Sequence, residues 1–399
     1  VSAHRLPSVA VTLALAAAAA IGCGHPSPAP RAANVVKVTV TNDGGSNRCV
    51  LDTTTVPAGP VTFTMSNAGA PGVSHVELLK NQRVIGEKES LDPGEDPVSF
   101  TVTLAGGDYQ IFCPGAGIEY QTLTVTGRAP EPATGPVAAM FAQGAKGFAP
   151  YVVAQMGQLE DAVKALDVTV QSGNVDDAKA AYARARPFYE HVQSSVDGYL
   201  LPGFTVGDNA GNLDYLIDMQ EATPVDPKVG WKGFHAVERD LWQAGSISTG
   251  TKALSAELVR NIGTLTTTVV TVQFRPEDAA NGAADLIEDV YNTKISGEEE
   301  AFSHLDLVDF AANVEGAQQA YASLRPGLDR IDSALVQQID QQFQDVVAML
   351  TRYRDPAALG GYRSYTPDLR ERDAPKLTAL IQPLHQSLSA IAQKVVVTN

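Results

Sequence analysis

His235 and Glu238 stand three residues apart in the segment GWKGFHAVERDLW, residues 230–242. On a helix, positions i and i+3 share a face, so the imidazole and the carboxylate project together. Such a pair can bind a metal, move a proton or simply satisfy itself as a capping contact or surface ion pair. Trp231, Phe234, Leu241 and Trp242 flank it. Their size and apolarity predict that part of this helix is buried, where a carboxylate needs a partner.

Other carboxylates recur at helical spacing. Glu190 and Asp197 lie seven apart in RPFYEHVQSSVD, and Asp214 and Asp218 lie four apart in NLDYLIDMQE among Leu213, Tyr215, Leu216 and Ile217. Carboxylates stacked on one face repel unless water or a cation separates them. In KISGEEEAFSHLDLVDF, Gly297 and then Glu298, Glu299 and Glu300 are expected at a helix start, where the positive end of the helix dipole favours acids; capping is the plainer role there. His304 follows four residues after Glu300, and then Asp306. Together these groups offer oxygen ligands with one or two imidazoles. That chemistry suits iron or manganese better than copper(I) or a thiolate zinc site.

Elements must position these groups, and the chain of 399 residues is long enough for two domains. Residues 35–127 contain short alternating runs (VVKVTVT, GPVTFTMSN, HVELLKNQRVIGE, VSFTVTL, GDYQIFC, YQTLTVTG) separated by turn residues. About seven antiparallel strands in roughly ninety residues fit a small Greek-key sandwich. Residues 128–139 read as a linker. Residues 140–399 show 3.6-residue periodicity and short connections, the pattern of an all-α antiparallel bundle. Pro187 predicts a kink or restart near Arg186, and Pro383 an interruption in a last helix around 370–394.

The first 23 residues read as an export signal: His4 and Arg5, an apolar run from Val9 to Ile21, then Gly22 and Cys23. Cys23 sits as the lipidated cysteine of a bacterial lipobox would, with Ala20 where Leu is usual; an ordinary signal peptide with an incidental Cys is the alternative. Residues 24–34, rich in Pro and Ala, form a tether. The protein is therefore expected to be exported to the periplasm or cell envelope and held on the membrane by its lipid. Cys49 and Cys113 remain, an even pair that reads first as a disulfide. The formal charge of −16, from 45 acidic and 29 basic residues, argues against nucleic acid. No nucleophile elbow, phosphate loop or dinucleotide fingerprint occurs in a suitable context.

GFHAVERDLW resembles the Gly-Phe-His-x-x-Glu signature of imelysin-like proteins. AADLIEDVYNTKISGEEEAFSHLDLVDFAANVEGAQ, with RPFYEHV, is similar to the helical domain of the EfeO family, extracytoplasmic components of bacterial iron uptake. The resemblance covers most of residues 140–395 and implies a cupredoxin-like fold for the β-rich segment. It also implies an iron ion, Fe2+ or Fe3+, held by Glu190, Asp218, His235, Glu238 and Glu299, with Asp214 and Glu298 as alternates. The family's Tyr-Glu-x-x-Glu reads YEHVQ here, so Gln193 supplies at most a carbonyl oxygen. A second site, for copper or another divalent cation, is implied at Cys49, Glu77, Glu87, Glu89 and Cys113. A disulfide between the two cysteines would exclude thiolate ligation there. His75 is this domain's sole imidazole, too few for blue copper. The implied partners are a membrane iron permease and a haem-containing peroxidase. Two other functions are open: a metallopeptidase, although Arg239 and Asp240 follow Glu238 where a zincin carries its second His, and a surface-binding protein stabilised by its metal.

Overall fold

Val36, Val38 and Val40 are fully buried while Val35 is exposed, the two-residue period of a strand covered on one face. The computed structural model describes residues 34–89, 91–128, 133–220 and 225–397. The export signal, its Cys23 and nearly all of the tether lie outside these residues.

Among the described residues nine strands form the first domain: β1 (Asn34–Asp43), β2 (Ser46–Leu51), β3 (Thr55–Pro57), β4 (Gly59–Ala68), β5 (Val76–Lys80), β6 (Arg83–Lys88), β7 (Val98–Leu104), β8 (Gly107–Phe112) and β9 (Tyr120–Thr126). One sheet has the order β2-β1-β4-β7 and the other β3-β9-β8-β5-β6. The expected purely antiparallel sandwich is corrected: β1 pairs with β4, and β3 with β9, in parallel. The cause is β3, which carries the chain into the second sheet before it returns to the first beside β1. Strand β2 escaped the sequence pattern because only Cys49 of its six residues is buried. Cys49 is disulfide-bonded to Cys113, with Cα atoms 6.3 Å apart, linking β2 of one sheet to the end of β8 in the other.

Eleven α-helices follow among the described residues: α1 (Pro136–Ser172), α2 (Val175–Glu190), α3 (Gln193–Val196), α4 (Leu213–Asp218), α5 (Gly233–Trp242), α6 (Thr249–Val269), α7 (Pro276–Asp289), α8 (Asp306–Ile331), α9 (Ser333–Leu350), α10 (Pro367–Ser389) and α11 (Ile391–Val397). None is long and apolar enough to cross a membrane. Helix α1 starts four residues earlier than expected because Pro136 suits a first turn. Pro187 does not break α2 at Arg186; it sits in the last turn, and the helix ends at Glu190. Pro383 likewise lies inside α10, and the interruption falls at Ala390. Past α7 the chain makes a π turn over Val290–Lys294. The three glutamates after it do not start a helix, since α8 begins at Asp306.

The domains meet along β6 and β7. Lys88, 3% exposed, pairs with Asp285 and Glu288 of α7. Arg275 donates to the Thr103 carbonyl at 2.9 Å and Arg83 to the Tyr199 hydroxyl at 2.7 Å.

Candidate metal centre

Gly233 opens α5 with φ 78°, and a Cβ there would lie 2.1 Å from the Ile217 carbonyl. Only glycine permits both the backbone conformation and the contact. The start of α5 therefore presses against α4, and His235 comes to face Asp218. His235 Nε2 lies 3.3 Å from Asp218 Oδ1 and 3.4 Å from Glu299 Oε1, and Nδ1 lies 3.2 Å from Glu238 Oε2. The other oxygen of Glu238 accepts from the backbone N–H groups of Phe302 and Ser303, at 2.9 and 2.6 Å. Glu238 is thus fixed from the far side and holds the imidazole with Nε2 toward Asp218 and Glu299.

Helix α8 closes the other side. A Cβ at Gly316 would meet the His191 carbonyl at 2.2 Å, so α8 lies tight against the end of α2. Asn313 of α8 donates to Glu190 Oε2 at 2.9 Å. Glu190, Asp218, Glu238, Glu299, Glu300 and Asp309 are all buried around the imidazole. Two fixed cations stand among them. Arg186, fully buried, contacts Glu190 and Asp218, and reaches Glu299 at 2.7 Å, Glu300 at 3.1 Å and Asp309 at 3.1 Å. Lys294, aimed inward by the π turn, meets Asp289, Glu190 at 3.2 Å and Glu299 at 3.1 Å. Tyr182 donates to Glu300 at 2.8 Å.

Six carboxylates, with Asp289 beside Lys294, face two permanent cations and His235, and burial raises the proton affinity of several of them. Burial pushes Glu190 up to about 7, although Arg186 and Lys294 pull it down. Burial also raises Asp309 to about 6 and Glu300 well above the carboxylate range, with Glu238 adding to the latter. Burial opposes a charge on His235, yet its contacts with Asp218, Glu238 and Glu299 outweigh it and hold the imidazole well above its ordinary value. Glu299 alone goes well below: Lys294, His235 and Arg186 together exceed its burial. An added cation would favour the ionised form of these carboxylates and displace their protons.

Ligand atoms of Asp218, His235 and Glu299 lie within 4.8 Å of one another, as do those of His235, Glu238 and Glu300, and of Glu190, Glu299 and Asp309. Asp218 Oδ2 and Asp309 Oδ1 are buried without hydrogen-bond partners, and His235 Nε2 has only its ion-pair contacts to Asp218 and Glu299. Oxygen donors with one imidazole nitrogen suit a hard or borderline cation.

Of the residues singled out from the sequence, the structure gathers Glu190, Asp218, His235, Glu238 and Glu299. Asp214 lies one turn before Asp218 and shares the Tyr189 hydroxyl with Asp197, at 3.4 Å each. Glu298 is exposed. Gln193 has its side-chain oxygen buried and unpartnered. Arg186, Lys294 and Asp309 were not anticipated as members, and Glu300 stood in the acidic run 298–300 but outside the ligand set that the resemblance implied. The one available signal was AAYARARPFYE, where Arg186 shares its helix face with small Ala183 while Arg184 is exposed.

The second site is corrected. Both sulfurs are consumed by the disulfide, and the acidic residues are on the other side of the sheet. Glu77 pairs across the sheet with Phe112, which packs outward against Leu79, Val84 and Val206. Cys113, the next residue, turns into the core between the sheets. Glu77 instead faces its cross-strand neighbour Glu87 and ion-pairs with His75 at 3.4 Å. Burial, then Glu89, Glu77 and Asp214, pushes Glu87 well above the carboxylate range. These acids therefore belong to the seam with the helical domain.

A family model described as imelysin, peptidase M75, matches residues 145–394. The chain is also similar to the iron uptake system component EfeO of Escherichia coli strain K12 and of Shigella flexneri. Each is 32% identical over 352 residues, covering 88% of this chain and 90% of the relative.

Proposed function

Because the chain belongs to the EfeO family and carries its imelysin domain, we propose that it is the extracytoplasmic iron-binding component of a bacterial iron-uptake system. In this reading it captures iron at the His235 centre and passes it to a membrane permease, alongside a haem-containing peroxidase. The protein is held at the cell envelope by a lipid on Cys23.

One observation carries the reading most directly: His235 Nε2 is buried and aimed between Asp218 and Glu299, at 3.3 and 3.4 Å, without a well-aligned hydrogen bond to either. The iron ion is cargo here. Asp218 and Glu299 neutralise it and Nε2 adds a nitrogen ligand, giving up its proton as the ion enters. Glu238, bonded to Nδ1, orients the ring in the manner of a carboxylate–histidine–metal arrangement. Burial also favours binding over peptide hydrolysis. Asp218, His235, Glu238 and Glu299 are at most 5% exposed, so a polypeptide has no approach, whereas an ion needs only a brief local opening.

The test is iron titration of the wild type and of the His235→Ala/Glu238→Ala double variant, run with a general protease assay. Loss of binding in the variant supports the reading. Unchanged binding overturns it, and metal-dependent proteolysis would promote the peptidase alternative.

A further inference from the structure

We infer that Arg186 and Lys294 are resident counter-cations that compete with the cargo ion for its own ligands and so keep its affinity low enough for release. The inference rests on the iron reading above and concerns how that same centre is tuned.

The competition is visible atom by atom. Asp218 Oδ1, which faces His235 Nε2, is the same oxygen that Arg186 takes with Nη1. Glu299 Oε1, the other oxygen facing Nε2, accepts from Arg186 Nη2 at 2.7 Å, while Lys294 holds Glu299 Oε2 at 3.1 Å. Glu190 is shared in the same way, Oε1 by Arg186 and Oε2 by Lys294. Each candidate ligand triad thus includes at least one oxygen already held by a cation. An incoming ion must take those oxygens from groups that keep their charge: an arginine does not deprotonate in a protein, and Lys294 retains Asp289, outside the ligand triads, as its counter-ion. Arg186 has no solvent to retreat to: it is fully buried, with its guanidinium carbon 5.2 Å from the Phe234 ring and 5.9 Å from that of Tyr189. Both cations therefore remain beside the bound ion and repel it in a medium where charges act strongly. A site meant to trap metal permanently gains nothing from such neighbours, whereas a site that hands its ion on does.

The measurement uses the full chain as wild type, Lys294→Met and Lys294→Arg. Dissociation constants are read for ferrous iron under anaerobic conditions and for zinc, with the rate of transfer to a chelator and the thermal midpoint with and without metal. The expected result for Lys294→Met is affinity tighter by about tenfold or more with correspondingly slower transfer. Its metal-free midpoint falls, and its rise on adding metal grows. Lys294→Arg, which keeps the charge, stays within about threefold of wild type. If Lys294→Met fails to fold, Lys294→Gln gives the same readout with the polar reach retained. Equal or weaker affinity in the charge-removing variant overturns the inference and leaves the iron reading standing, because a purely structural lysine would lose stability and affinity together. A wild type that binds neither ion overturns both.

Discussion

A carboxylate drawn from water without a counter-charge takes up a proton, and half-buried Asp214 shows the consequence at the scale of one residue. Burial, with Glu89 and Asp218 nearby, raises it to about 8. Between the ordinary aspartate value near 4 and this value, the folded protein binds more protons than the unfolded chain, so Asp214 lowers stability as pH rises across that window. Asp214→Asn is expected to raise metal-free stability at pH 8 by roughly 1–3 kcal/mol and to flatten its decline from pH 4 to 8. Chemical denaturation across that range checks it. Glu238 tests orientation against ligation. Glu238→Gln keeps the shape but weakens the hold on Nδ1, and metal affinity by calorimetry should fall by about 10–100-fold. The pair at 235 and 238 was legible in the sequence because its spacing and aromatic neighbours imply a buried helix face. Arg186 was not, because a charged residue in a helix is ordinarily read as solvated. Only the fold brings Asp218, Glu299, Glu300 and Asp309 to it from distant parts of the chain.

At the scale of elements, the centre depends on how closely α4 and α5 approach. Gly233→Ala would place a methyl 2.1 Å from the Ile217 carbonyl at a positive φ. It should cost about 2–4 kcal/mol and weaken metal binding as His235 moves away from Asp218; denaturant midpoints and titration check both. Helix periodicity made most helices readable, but their ends depended on contacts the sequence does not show. Glu298, Glu299 and Glu300 resemble a helix start, yet Glu299 and Glu300 turn inward to Lys294, Arg186 and Tyr182. Those partners settle their charge without a helix dipole. Strand β2 was hidden for the opposite reason: an edge strand with one buried residue carries no alternating apolar signal.

At the scale of the whole molecule, the disulfide joins the two sheets and Lys88 joins the two domains. Lys88 lies buried between Asp285 and Glu288. Lys88→Met leaves those acids without their cation and should cost about 3–5 kcal/mol, separating a single calorimetric transition into two. The seam also gathers Glu77, Glu87 and Glu89, which the family resemblance placed with the sulfurs; the registers of β5 against β8 and β6 put Glu77 and Glu87 on the opposite face. The central claim is that iron is held at His235 by ligands from α4, α5 and the segment before α8. Anomalous scattering at the iron edge from iron-soaked crystals tests it most directly. The account predicts a peak at coordination distance from His235 Nε2, with Asp218 and Glu299 as neighbours. A peak only at the domain seam, or none in iron-saturated crystals, would contradict it.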